Sequence, residues 1–73
     1  MVKYYKTPTT KRYLKIDDEN LSAIFLFIDK DKKVKSDITK ADTYTKIVEE
    51  SQNSELWNIL DEVTFNEALA QIP

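Results

Sequence analysis

The sequence predicts an α+β domain: a small antiparallel β-meander of three to four strands, followed by two to three short helices packed on one face. Three observations predict it. Residues 1–36 hold short runs rich in Tyr, Val, Ile and Phe, each bounded by turn-forming polar residues. Residues 37–73 instead space their apolar side chains at helical intervals. No linker, repeat or low-complexity tract divides the 73 residues, so the two halves form one domain.

The elements follow in order. Val2 to Lys6 and Lys11 to Ile16 read as strands, with Thr7-Pro8-Thr9-Thr10 as the hairpin loop between them. Asp17-Asp18-Glu19-Asn20 makes the next turn. Leu21 to Ile28 fits two descriptions, because Leu21, Ile24, Phe25 and Ile28 also make a helical stripe. Strand is preferred, since the run is short, aromatic and β-branched and has turn chemistry at both ends. Ala23, Phe25 and Phe27 then point one way and Ile24, Leu26 and Ile28 the other, which describes a central strand needing cover on both faces. Asp29 to Lys33 is a charged turn, and Val34-Lys35 starts a short fourth strand.

Thr39 or Asp37 can cap a first helix running to about Ser51, with Ala41, Tyr44, Ile47 and Val48 on one side. Leu56, Trp57 and Leu60 continue either as helix or as an extended connection. Thr64 and Glu67 match a capping box, with Val63 and Ala68 as its hydrophobic staple; a start at Asp61 would absorb Thr64 into the helix. Phe65, Ala68, Leu69 and Ile72 form the apolar stripe. In so small a domain Tyr44, Trp57 and Phe65 are expected in the core.

Composition narrows the chemistry. There is no cysteine, so no disulfide or thiolate zinc site. Without histidine there is no imidazole base or metal ligand, and without glycine no phosphate-cradling loop. No cofactor and no enzymatic activity are expected. Asp29-Lys30-Asp31 opens like a calcium loop, but Val34 and Lys40 stand where glycine and a bidentate Glu are needed. The clusters Asp17-Asp18-Glu19 and Glu49-Glu50 read as turn and surface residues, because adjacency does not supply opposed carboxylates. The opening Met1 to Tyr5 leads into polar sequence, and the longest apolar run has six residues, Ala23 to Ile28. Neither a signal peptide nor a membrane span is expected, and a cytoplasmic location is the default.

Charge is sorted along the chain although the net charge is only −2. The first sixteen residues carry five basic side chains and no acid, and residues 47–73 carry six acids and no base. Such polarity supplies orientation and fast encounter with a partner. The expected function is a non-enzymatic protein–protein interaction module of adaptor or inhibitor type. Its alternative is a nucleic-acid-binding module using the amino-terminal hairpin, whose candidate surface is Lys3, Tyr5, Lys11, Arg12, Tyr13 and Lys15. Lysines neutralise phosphates and tyrosines stack on bases. The same residues are ordinary occupants of a half-exposed sheet, and a single arginine weakens the phosphate reading. A helix-turn-helix over Glu55 to Ile72 is excluded, since its recognition helix would carry no base. A homodimer burying the second sheet face would offset the thin core.

Overall fold

A computed structural model describes residues 1–9 and 11–73; Thr10, in the expected first loop, lies outside them. The chain runs β1 (Val2–Lys6), β2 (Arg12–Asp17), β3 (Ser22–Ile28), β4 (Lys33–Ile38), α1 (Ala41–Ser51), β5 (Asn58–Leu60) and α2 (Glu62–Leu69). One antiparallel sheet takes the order β4-β3-β2-β1-β5. The class is α+β, as the sequence predicts, and the ambiguous run resolves as strand from Ser22 to Ile28, an interior strand with a neighbour on each side. Two expectations need correction.

The first is the number of strands. Residues 55–60 are not helical: a turn after Asn53 leads into β5, which pairs Asn58 with Lys6 and Leu60 with Tyr4. The Asn53 side chain accepts the Glu55 N–H at 3.0 Å, and its carbonyl accepts from Leu56 and Trp57, which ends the helical run. The extended alternative for this stretch therefore holds, giving five strands and two helices among the described residues.

The second concerns the helices, which lie on opposite faces of the sheet. Leu14, Ile16 and Ala23 form one cluster with Trp57, against which Tyr5, Phe25, Ile38 and the α1 residues Tyr44, Ile47 and Val48 pack. Leu26 and Ile28 form the other with Phe65 and Ala68 of α2, joined by Tyr4, Tyr13, Ile24 and Leu60. Strand alternation puts these two sets on opposite sides. β3 is apolar on both sides, so each side attracts one amphipathic helix; two helices on one face would leave Leu26 and Ile28 in water. The second face is thus covered within the chain, and the argument for a dimer from an uncovered face lapses.

Helix boundaries also shift. β4 continues through Asp37 to Ile38, which removes Asp37 as a cap, and α1 starts after Lys40 with no side-chain cap bond. At α2 the later-starting capping box gives way to Asp61, whose carboxylate accepts the Thr64 N–H at 3.1 Å and the Thr64 hydroxyl at 2.6 Å. Val63 is left exposed and makes no staple. Tyr44, Trp57 and Phe65 all join the core as expected. The rings of Phe25 and Trp57 meet edge-on at 6.4 Å, and the Trp57 indole N–H donates to Glu50 at 3.2 Å.

Candidate functional site

The β1–β2 register separates the residues of the candidate basic surface. Thr7 donates its backbone N–H to the Arg12 carbonyl at 3.1 Å, and its hydroxyl accepts the Arg12 N–H at 3.3 Å. Lys6 therefore opposes Tyr13, and Tyr5 opposes Leu14. A surface shared by Tyr5 and Tyr13 needs the two strands one residue out of this phase, and a one-residue slip exchanges every side chain between faces. Lys3, Tyr5 and Arg12 lie on the α1 face. Tyr13 and Lys15 lie on the α2 face, and Lys11 sits in the loop, its carbonyl accepting the Ile28 N–H at 2.8 Å.

Their surroundings differ as much as their faces. Tyr5 packs against the Leu14 cluster, while Tyr13 packs against the Leu26 cluster with the Lys6 ammonium 5.6 Å from its ring centre. The two tyrosines back onto different cores and present no shared stacking platform. Tyr4, also on the α2 face, packs on Phe65 at 5.3 Å; desolvation, then the carboxylates of Glu62 and Asp17, push its hydroxyl above the ordinary range.

What the strands do assemble is a charge gradient along their own axis. The β1–β2 loop and the β3–β4 turn sit at the same end, as the Ile28–Lys11 hydrogen bond shows. That end gathers Lys6, Lys11, Arg12, Lys30, Lys32 and Lys33 around the acids Asp29 and Asp31. Asp29 is occupied with the turn, its carboxylate accepting the Lys30 N–H at 2.7 Å. The opposite end carries Asp17, Asp18 and Glu19, the last two paired with the Met1 ammonium, and Asp37 near the end of β4, paired with Lys35. Asp17 closes its turn by accepting from Asn20 and from the Glu19 and Asn20 N–H groups, and these bonds, the Asn20 side chain first, hold its carboxyl below the usual range.

At the basic end of the α1 face, the sheet is left partly bare. α1 packs toward the acidic end, where Tyr44, Val48 and Ser51 lie beside Ile16 and Asp18. Beyond it lies an open groove of about 330 Å³ lined by Arg12, Phe25, Phe27, Lys32 and Val34. Register places Arg12 opposite Phe27 and Phe27 opposite Val34, so the three form a row across β2, β3 and β4. Phe25 leans on Trp57, but Phe27 belongs to neither core cluster, and Val34 is 37% exposed. The result is an apolar floor with a guanidinium at one side and an ammonium at the other.

A second groove, of about 280 Å³, runs along the other edge between Val2–Tyr5 and Ile59–Leu60. It exists because β5 is three residues long and leaves the start of β1 without a neighbour. It carries one charged residue, Lys3, so the corner at Phe27 is the better-equipped site. Alternation had put Phe25 and Phe27 on one face. That α1 would leave their half of it bare was not readable without the helix position. Among the described residues, no group of three or more Asp or Glu is placed to hold a metal ion, and no helix is long and apolar enough to cross a membrane.

No protein-family model, curated protein or solved structure matches this chain.

Proposed function

We propose that the protein is a non-enzymatic protein–protein interaction module whose working surface is the Phe27 corner. The observation that carries this reading is the row Arg12–Phe27–Val34, with Lys32 beside it: an aromatic anchor point between two cations on the part of the α1 face that the helix leaves open. A half-buried Phe that neither core cluster includes gains little for stability and much for association. Cations flanking an apolar floor select an acidic segment carrying a large apolar side chain. The surrounding lysines steer such a segment to this end, and the acidic far end of the sheet repels it.

A specific observation keeps nucleic acid as the second reading. Phe25 and Phe27 stand on adjacent same-face positions of one strand near Arg12, an arrangement on which bases can stack. The original hairpin surface does not serve that reading, because Tyr13 and Lys15 lie across the sheet from Arg12.

The test is selection from a displayed random-peptide library, with the winners measured against the wild type, Phe27→Ser and Arg12→Glu. Enrichment of acidic peptides with an apolar anchor, with binding lost in both variants, supports the reading. Failure to enrich, or binding indifferent to both substitutions, sinks it. Labelled single-stranded oligonucleotides run alongside: steeply salt-dependent binding lost in Phe27→Ser would favour the second reading instead.

A further inference from the structure

β4 is an edge strand with an unusual self-match. Lys33 to Ile38 pairs with β3 on one side and, among the described residues, has no strand on the other. The phase of its backbone is set by two hydrogen bonds. Asp29 donates to the Lys32 carbonyl at 2.7 Å, closing the turn, and Ile28 donates to Lys11 across β2–β3. Alternation from these points directs the N–H and C=O groups of Val34, Ser36 and Ile38 toward β3. Those of Lys33, Lys35 and Asp37 point outward, and among the described residues no helix or loop covers them: Lys33 to Asp37 are all exposed.

We propose that β4 pairs antiparallel with β4 of a second copy of this chain, about a two-fold axis at Ser36. Outward groups must face outward groups, so only alternate registers are open, and charge decides among them. An axis at Asp37 sets that residue against its own copy, and an axis at Lys35 does the same at its centre, which offsets the two Lys33–Asp37 pairs it makes further out. An axis at Val34 sets Lys33 against the partner's Lys35, twice. An axis at Ser36 sets Lys35 against the partner's Asp37 and Asp37 against the partner's Lys35, with no like pair between them. Both contacts fall on the α2 face. On the α1 face the same register sets Val34 against the partner's Ile38, apolar against apolar.

The interface is isologous and closes on two copies, leaving β5 at each outer end of a ten-stranded sheet. Lys35 and Asp37 already approach each other within the strand at 3.8 Å, and pairing exchanges this contact for two cross-strand ones. Lysines on an edge ordinarily discourage pairing, and Lys33 keeps that role against other strands. Lys35 is different, because its complement lies two residues away and the two-fold brings that complement opposite. The proposal does not rest on the Phe27 groove: Phe27→Ser removes peptide binding and leaves β4 pairing intact.

Sedimentation equilibrium of the full chain from micromolar to millimolar concentration reads the association directly. Both side chains are exposed, 41% and 63%, so charge variants keep the fold, which their amide spectra verify. The expected result is a monomer–dimer equilibrium weakened about tenfold or more by Lys35→Asp or Asp37→Lys alone, and restored by the two together. Amide exchange of the wild type supplies a measurement free of variants: Lys35 and Asp37 gain protection with concentration and Ile59 does not. A monomer at every concentration overturns the proposal. So does a dimer indifferent to the single charge reversals, or one whose concentration-dependent protection falls on Ile59.

Discussion

Leu21 carries a conformational cost that the sequence could not avoid. It closes the β2–β3 turn at φ 50°, in the left-handed region, and is the one non-glycine residue with positive φ among the described residues. The chain contains no glycine, so a residue with a Cβ must adopt it. Its side chain is exposed and gives nothing back in packing. Leu21→Gly is expected to raise stability by about 0.5–1 kcal/mol, the strain relieved less the added entropy of the unfolded chain. A urea titration checks it, and an unchanged or lower midpoint contradicts it. Asp17, at the other end of the same turn, shows how the chain manages without glycine: its carboxylate and Asn20 close the turn from the side chains.

At the scale of elements, the strands were legible and their faces were not. Composition and turn residues located β1 to β3 within a residue or so and the start of β4, which runs on through the expected cap Asp37 to Ile38. The phase between β1 and β2 hinges on one closing bond, Thr7 to Arg12, and nothing in the order of Lys and Tyr encodes it. β5 was hidden for another reason, since Asn-Ile-Leu is too short to show a period, and Trp57 and Leu60 also sit at helical spacing. The helix stripes were readable, but not which face each would take, because a central strand apolar on both sides accepts either. The phase divides the candidate surface between the two faces, and Phe27 was seen as apolar without being seen as uncovered. The packing yields a sharp contrast. Phe65 is fully buried where α2 meets the sheet, and Phe65→Ala is expected to cost about 3–5 kcal/mol, against a total of about 5–10 for a domain of this size. Ile59, 90% exposed on the β5 edge, should change to Thr with almost no effect on the same thermal melt. Comparable losses at the two sites would contradict the assignment of the α2 core.

For the molecule as a whole, acid is the expected weak side. Asp17 and Asp61 are held below the ordinary carboxyl value of 3.8, Asp17 chiefly by the Asn20 side chain and Asp61 chiefly by the Thr64 hydroxyl. Unfolded, both return to the ordinary value, so the folded state binds fewer protons between the two values. Their contribution is fully present above the ordinary carboxyl range and is lost as pH falls through the lowered folded values. The urea midpoint should therefore decline between about pH 5 and pH 2. Asn20→Ala should lower the midpoint near neutrality and make the decline shallower. A decline of unchanged steepness would mean that other carboxylates govern acid stability. The sorting of charge along the chain becomes, in three dimensions, a gradient along the strands: the basic end owes Lys30, Lys32 and Lys33 to the middle of the sequence and the acidic end owes Asp17 to Glu19 to its first third.

α1 carries the chain from β4, at one edge of the sheet, across to β5 at the other. Four strands can zip through neighbouring hairpins, whereas Tyr4 must wait for Leu60, at the far end of the chain, before the sheet is complete. That closure spans the longest loop in the fold and carries the largest entropic cost. Substitutions between β1 and β5 should therefore speed unfolding, while those between β2 and β3 slow refolding. The only tryptophan stands where the crossing ends, 4% exposed just ahead of β5. Its fluorescence is a built-in clock for the last step of assembly, readable in a stopped-flow trace without any label.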